Sequence, residues 1–456
     1  MVKKYRWIPV VIGIFCLVGC AKKTDVQEKN TEETTTIEQV VSPGADIDWS
    51  EDKLKSSIID RVTISFYGDT GTQMGLSWYT EDKDNYGVDI EVYEKQSANR
   101  VYVKYTVESG DANYEDDSMY HQACITGLKP DTEYYFRIGD KASNKWSEYG
   151  TFKTGGTAVG DYTFVALTDT QNEHLADAYF AADTMRKALG IAGNSSFILH
   201  GGDVVDNGSE EHLWSSMLNA SRDVLMNQVI VPAVGNHEED DHSFWQHFKL
   251  EHTNDHKTTG VYYSFDYGNT HFVVLDTNKT NEDETSYIDE EQLQWLDDDL
   301  KTARENGAKW IIVNMHKGPY TVSDHADNEK HDGEDGSRLR VGAVFEKYGV
   351  NIVFQGHDHC TSVTKPIVQG QVSDNGVIYV NTGAAGAKSY SIEYNMPDEY
   401  YDLFEYIDDS EREKDRYQEF AVVNVADTTM TITMYKHDVT DLGNQFQVVH
   451  VIELKK

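Results

Sequence analysis

The stretch SSFILHGGDVVDNG, residues 195–208, drives an apolar run straight into two glycines and an aspartate. A short apolar run closed by glycine reads as a buried strand. The glycine pair lets the backbone turn sharply, so that Asp203 can face a site. Asp206, three residues on, is its apparent twin. Alone, the pattern is also that of an ordinary turn. Four more apolar strands, however, run into Asp, Asn or His: ALTDTQ (166–171), AVGNHE (233–238), VNMHKG (313–318) and FQGHDH (354–359). In an α/β sheet, ligands collect outside the carboxyl ends of the strands. The five junctions would therefore gather Asp169, Gln171, Asp203, Asn236, His237, His316, His357 and His359 at one edge.

From Gly156 onward, apolar strands alternate with helical stretches, which predicts an α/β domain over 160–456. THFVVLDTN (270–278) and GVIYVNTG (376–383) are further strands, and residues 177–189 and 289–306 have helical spacing of apolar positions. Residues 388–418 are tyrosine-rich and acidic and read as an insertion; residues 420–438 read as a β-hairpin. Before this domain, over 58–155, the pattern is short alternating strands: TQMGLSWYT (72–80), DIEVYEK (89–95), RVYVKYTVE (100–108) and EYYFRIGD (133–140). With a Pro-Asp turn at 130–131, they predict an all-β sandwich of about 100 residues.

The first 19 residues read as a processing segment, with KKYR (3–6) followed by WIPVVIGIFCLVG (7–19). LVGC (17–20) resembles the lipobox of bacterial lipoproteins. The resemblance implies cleavage before Cys20, acylation of its sulfur, and an extracytoplasmic chain anchored to a bacterial membrane. Residues 20–57 are polar and poor in aromatics, the composition of a disordered tether. Of the other cysteines, Cys16 leaves with the signal; Cys124 and Cys360 either pair or remain as buried thiols. The formal net charge of −38 repels polyanions and argues against a nucleic-acid polymer as partner. A small phosphorylated substrate is compatible with it if cations sit in the site.

Imidazoles and carboxylates together suit borderline metals such as Zn, Mn or Fe. Two such cations repel each other, and one Asp oxygen can bridge them. At this point the motif series resembles the calcineurin-like metallophosphoesterases, and within them the purple acid phosphatase branch. GNHE and the H-D-H of GHDH match well. FYGDTGTQMGLSWYT (66–80), HQACITGLKPDTEYYFRIGD (121–140) and WSEYGTFKT (146–154) are similar to that branch's fibronectin-like N-terminal domain. The resemblance implies a two-layered β-sandwich core flanked by helices, two metal ions at one edge, and hydrolysis of phosphoesters by a metal-activated water, with phosphomonoesters foremost. It implies that Asp169 and His359 bind the first metal, that Asn236, His316 and His357 bind the second, and that Asp203 bridges. His237 would contact the phosphoryl group or protonate the leaving oxygen, and His325 would be a substrate-side histidine.

Two positions depart from the branch. Its GDxxY tyrosine, which binds ferric iron and gives the colour, is Asp206 here. Where it has glycine, and the wider superfamily a histidine, this chain has Gln171. Gln171 would lend its amide oxygen to the first metal or leave that position to water. No purple band is therefore expected, and Zn, Mn or Fe(II) are the candidate metals. Phosphodiester or nucleotide pyrophosphate hydrolysis would use the same site. A non-catalytic binding lipoprotein is the reading from outside enzymology.

Overall fold

The computed structural model describes residues 59–456 apart from 81–88, 97–100, 103–104, 106, 113–116, 157–158, 239–242, 252–260, 285, 324, 327–335, 393–395, 411–415 and 442–444. The expected signal segment, Cys20 and the tether lie outside the described residues. The front part is a sandwich of two antiparallel sheets. One has the order Ile59–Ser65, Gln73–Thr80, Met119–Thr126, Val107–Asp111; the other has Val101–Tyr102, Asp89–Glu94, Glu133–Asp140, Lys145–Trp146, with Gly150–Lys153 also pairing to Glu133–Asp140. Alternation does the packing. Met74, Leu76 and Trp78 from the first sheet and Ile90, Val92, Phe136 and Ile138 from the second are buried in one core. The sequence predicts a single strand over 100–108, but that run is divided: its start pairs in one sheet and its end in the other.

The second part stacks two sheets. In the first, Val229–Pro232, Ser195–His200 and Tyr162–Leu167 run parallel, followed by Tyr417–Val425, Thr429–Asp438 and Gln447–Lys455 in antiparallel order. In the second, Thr270–Leu275, Trp310–Met315, Ile352–Gln355 and Ile378–Thr382 run parallel, with Tyr263–Tyr267 outside one end and Thr361–Thr364 and Phe404–Ile407 outside the other. Aromatic side chains fill the space between them. The Phe164, Phe197 and Phe272 ring centroids lie 4.9–5.5 Å apart pairwise. Helices cover the outer faces. Leu175–Ala192 buries Met185 and Ala188 against Val165 and Ile198. Glu290–Glu305 and Ser337–Tyr348 bury Leu296, Leu300, Val341 and Phe345 against Val273, Ile311 and Val353. The Asp289 side chain caps the first turn of Glu290–Glu305 by accepting from Gln292 N at 2.8 Å.

In the second part, two features go beyond the sequence reading. The hairpin over 420–438 gains a third strand, Gln447–Lys455. The tyrosine-rich segment is not simply appended. Its strand Phe404–Ile407 extends the second sheet by pairing with Thr361–Thr364. Buried Tyr400 donates its hydroxyl to Thr321 O at 2.7 Å and accepts from Thr321 N at 3.1 Å. Cys124 and Cys360 do not form a disulfide with each other; Cys360 is buried as expected, whereas Cys124 is only half-buried.

The front sandwich is locked to the second part by a buried charged group. Arg61 Nη1 lies 2.7 Å from Glu211 Oε1, and His247 Nε2 meets the same oxygen at 3.0 Å. The His247 ring is sandwiched between Tyr79 at 4.7 Å and Trp214 at 4.3 Å.

Candidate metal centre

All five strand-to-polar junctions fall at the carboxyl ends of parallel strands: three from the first sheet and two from the second. The backbone there is unusual. Asp169, Asp203, His357 and His359 have φ of 54, 52, 70 and 42°. Among residues with side chains, Asp, Asn and His tolerate this left-handed region best. Asp169 is held by Thr168 Oγ1, which donates to Oδ2 at 2.8 Å, and by the backbone N–H of His357, which donates to Oδ2 at 3.1 Å. Asp203 receives the His237 backbone N–H at 3.0 Å on Oδ1 and the Gln171 amide at 2.9 Å on Oδ2.

Two groups of ligand atoms converge, each within 4.8 Å: Asp203, His316 and His357 form one, and Asp169, Asp203 and His359 the other. Asp203 is common to both. Asn236 joins the first group, with its Oδ1 3.0 Å from His316 Nε2. His237 stands beside them, with Nε2 3.8 Å from Asp203 Oδ2. The His325 ring stacks on His357 at 3.8 Å. Gln171 is buried, with its NH2 toward Asp203 and Oε1 without a hydrogen-bond partner. A half-turn of that amide would aim the oxygen at Asp203 instead.

The donor set fits cations. His316 Nδ1 faces the carbonyl of Gly201 at 2.9 Å and so carries its hydrogen there. In the neutral ring, Nε2 then turns a lone pair toward Asp203 Oδ2 at 3.1 Å and Asn236 Oδ1 at 3.0 Å. Three converging lone pairs require a proton or a metal between them. Without metal, the proton serves. Burial alone would lower the imidazole, but the Asp203 carboxylate, with Asp169 behind it, lifts His316 to about 9. Burial likewise would raise Asp203, yet His316 and His237 outweigh it and hold the carboxyl well below its usual range. His357 is driven well below the ordinary imidazole value by burial and then by His316. His359 Nδ1 is buried without a partner.

Four residues outside the predicted set support this edge. Glu238, the acid of GNHE, turns away from the ligands and accepts the backbone N–H groups of Asp203, Val205 and Gly235 at 2.8–3.1 Å. Burial, then the Asp203 charge, pushes its carboxyl up to about 8. Asp358, the acid of GHDH, accepts the Val322 and Ser323 N–H groups at 2.7 and 2.9 Å and so fixes the loop that bears His325. Both acids lie inside motifs that were read for metal ligands, so their positions were visible but their direction was not. Tyr390 stacks on His359 at 4.3 Å. Lys388 pairs with Asp206 at 2.7 Å, and Asp206 belongs to neither group of ligand atoms.

Residues 59–154 match the purple acid phosphatase N-terminal domain, and residues 162–361 match the calcineurin-like phosphoesterase domain. Purple acid phosphatase 23 of Arabidopsis thaliana is 24% identical over 343 residues, covering 68% of this chain and 70% of its own. Acid phosphatase type 7 of Mus musculus is 24% identical over 289 residues, covering 59% and 64% respectively. The structure of a purple acid phosphatase from yellow lupin (Lupinus luteus) seeds superposes with a TM-score of 0.70 at 17% identity, covering 87% of this chain and 74% of that one. With its fold, its paired ligand groups and both domains in this order, the chain is homologous to the purple acid phosphatases, two-metal hydrolases that act on phosphoester bonds.

Proposed function

We propose that this protein hydrolyses phosphomonoesters at a two-metal centre bridged by Asp203. The observation that carries the reading is the membership of Asp203 in both ligand groups. Asp169 and His359 would hold one cation with it, aided by the Gln171 amide oxygen or by water. Asn236, His316 and His357 would hold the other. When bound, such a pair of cations lowers the pKa of a water from about 15.7 to about 7 and offsets the charge of the phosphoryl oxygens. Zn, Mn and Fe(II) suit this mixture of carboxylate, amide and imidazole.

The chain's own groups orient the substrate. His237 Nδ1 is occupied by the carbonyl oxygen of Asp206, so this nitrogen carries its hydrogen and Nε2 is left for the phosphoryl group or the leaving oxygen. His325, stacked on His357, lines the substrate side. Gly201 O fixes the tautomer of His316.

Metal analysis coupled to a phosphoester panel, on protein lacking residues 1–41, tests the reading. Asp203→Asn loses metal pairing and turnover together; His237→Ala keeps the metals and loses rate. Full metal content and full activity in Asp203→Asn would overturn the assignment. Faster turnover of diesters than of monoesters would revise the substrate class. The N-terminal pattern supports a second part of the proposal: anchorage of the chain on the outer face of a bacterial membrane through a lipid at Cys20. Membrane fractionation of a Cys20→Ser variant checks it, with release into the soluble fraction expected.

A further inference from the structure

We infer that the Asp206–Lys388 ion pair positions His237, which makes the 383–392 loop a working part of the centre. The inference rests on the phosphoesterase reading above. Asp206 grips His237 by its backbone, with its carbonyl oxygen accepting from His237 Nδ1. The carboxylate of Asp206 stands 3.6 Å from the same nitrogen. Gly208 N donates to His237 O at 2.7 Å, so the 206–208 turn holds this residue from two sides. Lys388 Nζ then fixes Asp206, lying 2.7 Å from Oδ1, with both side chains only about a quarter exposed.

The lysine is itself held in place. Two residues of its loop donate to the end of the strand that carries the first candidate ligand: Ala385 N to Thr168 O and Gly386 N to Asp169 O, each at 2.9 Å. One loop therefore spans the centre, tied to Asp169 on one side and, through Lys388 and Asp206, to His237 on the other. Tyr390, two residues beyond the lysine, stacks on His359. Asp206 occupies a metal-ligand position of the resembling enzymes, but here its carboxylate is committed to an ammonium and belongs to neither ligand group. Lys388 lies beyond residues 162–361, the span that matches the phosphoesterase family.

An ordinary exposed ion pair contributes little to anything. A pair that sets the angle of a substrate-facing imidazole affects turnover, because small misplacements of reacting groups cost large factors in rate. In the full metal-loaded chain, Lys388→Met and Asp206→Asn are each expected to lower kcat on the order of tenfold, with KM and metal content near those of the parent. Lys388→Arg restores the rate. In a His237→Ala background, Lys388→Met costs nothing further, because the effect passes through His237. Unchanged kcat in both single variants overturns the inference. So do losses that simply add to that of His237→Ala, or a loss of metal in Asp206→Asn. The two failures are separable. Retained metals and turnover in Asp203→Asn sink the phosphoesterase reading. A dead Asp203→Asn beside a fully active Lys388→Met sinks only the positioning role.

Discussion

Gly235 presses its backbone against the carboxylate of Asp203: a methyl group built on Gly235 would overlap Asp203 Oδ1 and the Asp203 backbone nitrogen. The absent side chain at 235 is thus what lets the shared carboxylate sit between the two ligand groups. Gly235→Ala should displace it. Elemental analysis is expected to show loss of paired metals, and kcat/KM for a phosphomonoester should fall on the order of a hundredfold. A variant that keeps both metals and parental kinetics would show that the carboxylate has room to move.

Arg61 joins the two parts of the molecule through Glu211, which is nearly inaccessible to solvent. Removing the guanidinium takes the cation from a buried carboxylate and leaves the His247 ring on the same oxygen; breaking such a pair from one side costs about 3–5 kcal/mol. Urea unfolding of Arg61→Met should show a loss of that size. Arg61→Met combined with Glu211→Leu should recover part of it, since no carboxylate is then left buried although His247 Nε2 loses its acceptor. Equal stability of the single and double variants would count against this account.

His271 gives a pH dependence remote from the metal centre. Its ring lies between Asp266 at 2.8 Å on Nδ1 and Asp299 at 2.8 Å on Nε2. Burial opposes its charge, but the two carboxylates outweigh burial and raise the imidazole to about 9. A folded-state value above the unfolded value of about 6.5 adds stability that is complete below pH 6.5 and lost as pH rises through 9. The contribution is at most about 3 kcal/mol. Urea midpoints should therefore fall between pH 6.5 and 9.5 in the parent, and fall much less in His271→Gln. Parallel curves would remove His271 as the cause.

The centre was legible because each candidate ligand directly follows an apolar strand, and parallel strands bring their carboxyl ends together. Asp203 and His316 are more than a hundred residues apart, yet each could be placed from its own strand. Asp206 and Lys388 could not be paired that way, since 182 residues separate them and the lysine sits in a loop without periodicity. The strand Gln447–Lys455 was hidden for another reason. It is an edge strand with Val448 and Val451 exposed, so its apolar residues do not mark a buried face. The tyrosine-rich segment reads as an insertion because acids are spread all along it. Tyr400 is buried through a hydroxyl bond to Thr321, a contact that composition does not reveal.

The positive φ angles at Asp169, Asp203, His357 and His359 carry a consequence for evolution and engineering. Each holds a side-chain-bearing residue where glycine would rest more easily, at a cost on the order of 1 kcal/mol. Two of the four also bury carboxylates close together. Glycine at any of these positions would ease the backbone but remove a candidate ligand, and at Asp203 it would also leave buried His316 without its carboxylate. The reactive edge holds four of the nine such angles found at residues other than glycine among the described residues. An engineer who replaced positive-φ residues by glycine would therefore strip ligands from it.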